Sequence, residues 1–324
     1  MTATGYMPHV AAIVNPRSGG GRTGRGWRLI ANALEKELGP VRAHFTAAPS
    51  TSRYLPAAEL TREALRTGAQ LVIAVGGDGT ISEVVNGFFE NGEMINPDAH
   101  LAILNTGTGG DFRKTFELPE DLEGCISRIG AGDPRQIDLG RMQFTGEDGA
   151  ETIRYFNNIA SFGLSGEVVR AVNSASISKI FGGAFAFLWA TLATSFRYKT
   201  HPVRLVYDDG TEETHNVGVC AVSNGKFFGG GMKIAPDALP DDGKFDVVTM
   251  RDRTCSQAPA PCVTARICRT KKSLSAAPPR LSPHLPATAL CFSMSMARHP
   301  DVCPPVSTFS PPLLHCAAEI KKKR

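Results

Sequence analysis

Apolar runs that alternate with helical patterns, three of them followed by a glycine-rich loop, constrain the fold of this chain more than any other feature. Alternation of this kind is typical of a parallel sheet covered by helices, an α/β fold. The predicted elements are strand Val10–Asn15, helix Gly24–Leu38, strand Val41–Phe45, helix Tyr54–Thr67, strand Leu71–Val75, helix Ser82–Phe89 and strand Leu101–Leu104. Ligands bind beyond the carboxyl ends of such strands, so we expect the three loops to converge on one cleft.

The three loops, after the first, third and fourth strands, read NPRSGGGR, GGDGT and NTGTGGDF. Gly19, Gly21 and Gly24 have the spacing of a dinucleotide fingerprint, but the second strand ends in Phe45 and Thr46 instead of an acidic residue that would hold a ribose. The chain contains no GK[ST], which excludes a Walker-type loop. Backbone amides near helix N-termini remain, and these can cradle phosphates. An ordinary strand-to-helix turn could explain one such loop but explains three poorly.

Asp78 is the acidic residue that the glycine loops single out. Gly76, Gly77 and Gly79 surround it, so its carboxylate is expected to be unobstructed in a tight turn beside a nucleotide phosphate and its Mg²⁺. Phosphoryl transfer depends on positioning and on charge neutralisation, and a carboxylate that holds the metal supplies both. The structural alternative is an aspartate that only caps the following helix.

After Gln136 the pattern changes to short strands with hairpin signals, which predicts a second, mainly β domain. Asp208, Asp209 and Gly210 form one such signal between two alternating runs. A single apolar helix is predicted at Ile180–Phe196; its length is at the bottom of the range for a membrane span, and we interpret it as buried or lipid-facing rather than transmembrane.

The motifs together resemble one family. NPRSGG, VGGDGTISEVVNG and LNTGTGGDF, followed by RQIDLG, FNNIASFGLSGEVV and VSNGKFFGGGMKIAPDALPDDGKFDVV, resemble the bacterial diacylglycerol kinase and related lipid kinases, which share a catalytic domain with sphingosine and ceramide kinases. The resemblance runs from Val10 to Val248. It implies an NAD kinase/diacylglycerol kinase-like nucleotide-binding domain over residues 8–135 and a β-sandwich domain over 136–250. GGDGT alone is shared with NAD kinases, whereas the other motifs are more specific to lipid kinases.

The same resemblance implies the site residues and the cofactors, ATP and Mg²⁺. ATP would be held by Asn15, Pro16, Arg17, Ser18 and Gly19, by Thr46, by Gly76, Gly77, Asp78, Gly79 and Thr80, and by Thr108. A metal in the second domain would be held by Asp242 with the carbonyls of Leu239 and Lys244, and it looks structural. Two departures stand out: Gly110 replaces a common asparagine in GTGGDF, and no Asp-Gly-Glu follows Val248, although in the family that glutamate resembles the general base.

Composition breaks near residue 250, which sets residues 251–324 apart. All 33 glycines lie at or before Gly243, whereas half of the 22 prolines, 12 of the 35 Lys and Arg, three of the 31 acidic residues and six of the eight cysteines follow Met250. We find no sustained period of 2 or 3.6 there. Two interpretations remain open: a disordered, partly polyproline tail, or a shift of reading frame near Arg251 that leaves the second domain incomplete. The cysteines have no zinc-ribbon spacing and are assigned no chemistry.

The function that this sequence predicts is transfer of the ATP γ-phosphoryl group to a lipid hydroxyl, foremost that of diacylglycerol. Asp78 would position Mg²⁺ or act as the base, and lipid would enter between the domains near Ile180–Phe196. The alternatives are an inactive nucleotide-binding remnant, a sphingosine or ceramide kinase, and an NAD kinase. Because Met1–Val10 does not resemble a secretory signal, we expect a cytoplasmic protein, peripheral to the inner face of the membrane, with a lipid partner, no nucleic acid, no transmembrane segment and a possible homodimer.

Overall fold

The structure, a computed structural model, describes residues 9–47, 55–146, 149–164, 201–207, 210–251, 268–271 and 292–297. The chain divides into two compact units, of which the first ends at Gln136 and the second begins at Ile137. Among the described residues, no helix is long and apolar enough to cross a membrane. The predicted helix at 180–196 lies outside the described residues.

The first unit is built on a four-stranded parallel sheet with the strand order β2-β1-β3-β6. A short 3-10 turn, Ser18–Gly21, precedes helix α1. The elements are β1 Val10–Val14, α1 Arg22–Leu38, β2 Val41–Phe45, α2 Pro56–Arg66, β3 Leu71–Gly76, α3 Asp78–Gly87, the short strands β4 Phe89–Glu90 and β5 Glu93–Met94, then β6 His100–Asn105, α4 Asp111–Thr115 and α5 Leu122–Ala131. The predicted α/β architecture and its strand order along the chain are confirmed.

Two helices begin earlier than the sequence predicts. Helix α1 begins at Arg22 instead of Gly24, and α3 begins at Asp78 instead of Ser82. Glycine is a poor helix former, so GGDGT was expected to stay a loop up to Ser82. In the structure Gly77 is the N-cap of α3, and Asp78 already lies in its first turn.

Every residue of β1 is buried, as expected for a central strand of a parallel sheet that is covered on both faces. On one face Val10, Ala12 and Val14 pack with Ile30 and Leu34 of α1. These side chains recur at helical spacing on α1 and at alternate positions on β1, so both elements present one apolar face to the same cluster. The core therefore fixes where the carboxyl ends of β1 and β3 lie.

The second unit is mainly β, as predicted. Its strands are β7 Leu139–Thr145, β8 Glu151–Phe156, β9 Ile159–Gly163, β10 His201–Val206, β11 Glu212–Ser223, β12 Phe227–Phe228, β13 Met232–Lys233, β14 Asp246–Arg251, β15 Cys268–Lys271 and β16 Phe292–Ala297. The predicted hairpin is confirmed: β10 and β11 pair antiparallel, and the Tyr207 amide donates to the Thr211 carbonyl at 2.9 Å. Complete burial raises the pKa of the Cys220 thiol to about 12, so this thiol stays protonated and packs as an apolar group.

Eleven residues of the tail differ from the expectation of a wholly irregular segment, namely Arg251 at the end of β14 and the residues of β15 and β16. Strand β15 pairs with β14, and β16 pairs with β7. Apolar and polar residues alternate over Phe292–Ala297, but the segment is too short to count as a sustained period of 2. Both partners are also paired on their other side, β14 with β11 and β7 with β8, so β15 and β16 each extend an existing sheet by one strand. The remaining tail residues lie outside the described ones, so tail disorder and a frame shift stay predictions.

Candidate phosphate-binding site

Strands β1, β3 and β6 are neighbours in the sheet, and the loops that follow them lie together at its carboxyl edge. The Asn15 Nδ2 atom donates to Thr80 Oγ1 at 3.1 Å, which links the first loop to α3. Thr23 Oγ1 donates to Thr106 Oγ1 at 2.6 Å, which links α1 to the loop after β6. The Thr106 amide donates to the Gly76 carbonyl at 2.8 Å. The expected convergence of the three loops is therefore present within the first unit.

The first loop is a left-handed turn that only glycines adopt readily. Gly19, Gly20 and Gly21 have φ of 59°, 68° and 82°, values that side chains disfavour. A Cβ at Gly19 would lie 2.5 Å from the Thr106 carbonyl oxygen, and one at Gly24 would lie 2.9 Å from the Pro16 carbonyl oxygen. The glycine spacing therefore serves the turn and the close packing of α1 against its own loop.

The second and third loops pass each other in backbone contact. A Cβ at Gly107 would lie 2.6 Å from the Gly77 Cα atom, so Gly107 has no room for a side chain, whereas a Cβ at Gly77 would meet the Gly107 Cα atom at an ordinary contact distance of 3.4 Å. A Cβ at Gly76 would lie 2.4 Å from Thr80 Oγ1, whereas a Cβ at Gly79 would meet nothing within 4 Å. Three peptide loops are thus packed closely around one point, an arrangement that suits a phosphate chain.

Asp78 binds a different helix from the one that it begins. Its Oδ2 accepts from the Asp111 amide at 3.2 Å, and its Oδ1 accepts from the Phe112 amide at 3.0 Å. Both amides belong to the first turn of α4, and no side chain caps α3. The alternative of a cap for the following helix is wrong, and the expected unobstructed carboxylate is half-buried and already accepts two hydrogen bonds. Asp78 instead braces the second loop against the third.

The other predicted nucleotide residues lie around the same edge. Arg17 is exposed, and its Nη2 donates to the Ala47 carbonyl at 3.3 Å, which holds the first loop near the end of β2. The Arg17 amide donates to Asn15 Oδ1 at 3.0 Å and tightens the turn. The Thr46 amide donates to the Val14 carbonyl at 2.9 Å. Thr108 is exposed in the third loop.

The predicted metal loop lies in the second unit and offers few ligands. Asp242 Oδ1 accepts from the Lys244 amide at 3.0 Å, and the Leu239 side chain is exposed. Across the part of the chain that the structure describes, no group of three or more His, Cys, Asp or Glu residues is placed to hold a metal ion. A cation here would therefore depend on Asp242 together with backbone carbonyls.

Sequence reasoning missed two residues that hold this loop in place. Asp138 is 4% exposed; its amide donates to the Pro240 carbonyl at 2.6 Å, and its Oδ2 accepts from the Gly243 amide at 2.6 Å. Asn224 is fully buried, and its Nδ2 donates to the Asp138 carbonyl at 2.7 Å. The available signal was an acidic residue between the apolar Ile137 and Leu139, just ahead of a strand.

Comparison with known proteins decides the family. Residues 9–142 match the diacylglycerol kinase catalytic domain, and residues 158–258 match the YegS C-terminal NAD kinase beta sandwich-like domain. A YegS-like lipid kinase of Chromohalobacter salexigens is 30% identical over 235 residues, which cover 70% of this chain and 71% of that protein. The chain belongs to the diacylglycerol kinase family of lipid kinases.

Other relatives of the chain support the same family. Lipid kinase YtlR of Bacillus subtilis is 29% identical over 252 residues, covering 76% of this chain and 79% of that protein. A diacylglycerol kinase of Staphylococcus epidermidis is 31% identical over 203 residues, covering 63% and 59%. A crystal structure titled as a diacylglycerol kinase of Bacillus anthracis has a TM-score of 0.61 at 22% identity over 83% of this chain and 85% of that one, which supports the fold. The resemblance inferred from the motifs is confirmed.

Proposed function

We propose that this lipid kinase transfers the γ-phosphoryl group of ATP to a lipid hydroxyl, and that the acceptor is diacylglycerol. The observation that carries the proposal is the packing of the three loops after β1, β3 and β6. Their residues supply backbone amides and hydroxyls around one point, and peptide N–H groups near helix N-termini favour bound phosphates. The diacylglycerol kinases among the relatives support the choice of acceptor.

ATP would be held by the first loop from Asn15 to Gly19, with Thr46 beside it and with Gly76 to Thr80 and Thr108 on the other side. Thr80 is buried and already accepts from Asn15, so it orders the first loop in addition to lining the site. Two loops meet in backbone contact at Gly77 and Gly107, which lets peptide groups approach a pyrophosphate closely. Phosphoryl transfer needs little more from the protein than such positioning and charge neutralisation.

Mg²⁺ would neutralise charge on the transferred phosphoryl group, and Asp78 would hold it through water. A carboxylate has about four acceptor positions, so the two bonds from α4 leave capacity for further hydrogen bonds. The same two bonds fix the carboxylate beside the second and third loops. Asp78 would also be the leading candidate for the base that accepts the proton of the lipid hydroxyl, because no Asp-Gly-Glu follows Val248.

An inactive nucleotide-binding remnant is the second candidate function. It is favoured by the missing Asp-Gly-Glu, since a general base contributes roughly 10² to 10⁴ in rate, and by the structural role that the Asp78 carboxylate already has. In that case the protein would bind ATP with ordinary affinity but phosphorylate no lipid.

The proposal is tested by incubating the full chain with γ-labelled ATP, Mg²⁺ and one acceptor at a time: diacylglycerol, sphingosine, ceramide or NAD. Thin-layer chromatography should show labelled phosphatidic acid from diacylglycerol and far less label on the others. Label on another acceptor would reassign the substrate. ATP binding without label on any acceptor would establish the remnant.

A diacylglycerol acceptor would place the reaction at a membrane surface, so we propose a peripheral protein on the inner face of the membrane. Sedimentation with vesicles that contain diacylglycerol checks this point, because a protein that stays in the supernatant would contradict it. Analytical ultracentrifugation of the same sample checks the proposed homodimer.

A further inference from the structure

The first two turns of α1 carry a charge pattern that helix stability does not explain. Arg22, Arg25 and Arg28 lie there, and the first turn contains no acidic residue. All three side chains are exposed. Cations at this end of a helix face the positive end of the helix dipole, which is unfavourable. Their placement therefore calls for a negative charge that the helix itself does not supply.

Two of these arginines fold back over the left-handed turn of the first loop. Arg22 Nε donates to the Gly19 carbonyl at 2.9 Å, and Arg25 Nη2 donates to the Gly20 carbonyl at 3.5 Å. A Cβ at Gly19 would lie 3.4 Å from Arg22 Nε, and one at Gly21 would lie 3.1 Å from Arg25 Nη1. The glycines thus leave room for both guanidinium groups beside the phosphate-binding loops.

Among the described residues, most N–H donors of the Arg22 and Arg25 guanidinium groups have no hydrogen-bond acceptor and could bind a ligand. A guanidinium has five N–H donors, and each of the two uses one on the turn. Within the described residues, neither Arg22 nor Arg25 forms an ion pair with a carboxylate. Arginine pairs well with phosphate because its planar fork can donate two parallel hydrogen bonds.

We propose that Arg22 and Arg25 bind the terminal phosphates of the nucleotide and so set a preference for a triphosphate. The inference rests on the proposed function. It adds two cationic side chains to loops that otherwise offer backbone amides, hydroxyls and the guanidinium of Arg17. The shared chemistry is that of a phosphate, which a nucleotide or a lipid headgroup could provide, and the nucleotide is the source that we commit to.

The test compares Arg22→Gln, Arg25→Gln and the double variant with Arg28→Gln, a matched control that removes the same charge one turn further along α1. Calorimetry measures the affinities of the full-length proteins for ATP, ADP and AMP. We expect each single variant to lose about tenfold in ATP affinity and the double variant about 100-fold, since each removes a charge-assisted contact. AMP affinity should change by less than about threefold in every variant, and the control should match the wild type.

Three results would overturn the inference while leaving the proposed function intact. Equal losses for ATP and AMP would mean that the arginines only shape the turn. An equal loss of ATP affinity in Arg28→Gln would mean that the reduced positive charge of the region, rather than a specific contact, weakens binding. Unchanged ATP affinity with weaker sedimentation on phosphatidylglycerol vesicles would mean that they bind a lipid surface. A wild-type protein that binds neither ATP nor ADP would overturn both proposals. Thermal melting of each variant is the control for folding, and an unchanged melting temperature shows that the variant is folded.

Discussion

Two aspartates, Asp78 in the first unit and Asp138 in the second, hold one loop to another in the same way but in different surroundings. Each carboxylate accepts backbone N–H groups from a distant segment. Around Asp78 lie glycines without side chains and half-buried backbone, whereas Asp138 and Asn224 are buried and bonded to peptide groups of their own unit. The first arrangement suits an incoming phosphate, and the second suits a rigid fold. Substitutions should therefore separate activity from stability.

The largest effect is expected from Asp78→Asn. The variant keeps the size of the side chain and one acceptor for the α4 amides but loses the charge, so turnover should fall by about 10² to 10⁴. Stability should fall by only about 1 kcal/mol, because one hydrogen bond is lost. Initial rates with γ-labelled ATP and urea unfolding measure the two quantities.

Asp98→Asn is the matched control for Asp78→Asn, because Asp98 is exposed in a different loop of the same unit. It should leave both turnover and stability unchanged. If Asp78→Asn kept more than half of the wild-type turnover, Asp78 would be a structural brace alone.

Asp138→Ala should show the opposite pattern. Removing the carboxylate leaves the Gly243 amide without its acceptor in a buried region, which costs about 1–3 kcal/mol in the free energy of unfolding. ATP affinity should stay within about threefold, because the hydrogen bonds of Asp138 to Pro240 and Gly243 hold a loop of the second unit. Urea unfolding and calorimetry check both statements. A tenfold loss of ATP affinity at unchanged stability would remove the distinction between the two regions.

A pair of glycines sharpens the comparison inside the first unit. Gly76→Ala would place a Cβ 2.4 Å from Thr80 Oγ1, whereas Gly79→Ala meets nothing within 4 Å. We expect Gly76→Ala to cost about 1–3 kcal/mol through overpacking and to weaken ATP binding. Gly79→Ala should be neutral or stabilising by up to about 1 kcal/mol, because alanine favours the helix. Thermal melting with and without ATP distinguishes them, and equal melting temperatures would contradict the loop geometry.

The smallest effect is expected for Gly110→Asn, which introduces the residue common in the family. Gly110 has φ of 62°, a conformation that asparagine tolerates better than other side chains. Its Cβ would lie 2.8 Å from Asn105 Nδ2, so that side chain must shift. Stability should change by less than about 1 kcal/mol. Gly110→Val is the contrasting variant, because a β-branched residue disfavours this backbone conformation. A smaller loss of stability for valine than for asparagine would show that the backbone conformation does not determine the effect.

The sheet and its loops were predictable because they depend on local patterns. Strand Val41–Phe45 was predicted to the residue, and the glycine loops were expected to meet because parallel strands share one carboxyl edge. The partner of Asp78 could not be read from the sequence, because its amides lie 33 and 34 residues away in a helix of only five residues. The early start of α3 was missed because glycine is a poor helix former, whereas in the structure Asp78, whose carboxylate is bonded to α4, and Gly79 already lie in the first turn of α3.

The role of Asp138 was hidden in a different way. Its motif was recognised as part of the family pattern, but its partners are backbone groups more than 100 residues away, which no spacing indicates. Strands β15 and β16 were missed because their pairing depends on the neighbouring strands β14 and β7, which are distant in sequence or belong to another element, rather than on their own composition.

The most direct test is amide hydrogen exchange of the wild-type protein with and without ATP and Mg²⁺, read by mass spectrometry of peptides from both units. The account predicts slower exchange in the loops at 15–21, 76–80 and 106–112, where peptide groups would bind the nucleotide, and unchanged exchange at 239–244. Protection confined to 239–244, or no protection in the three loops under saturating ATP, would contradict the assignment of the phosphate site to the first unit.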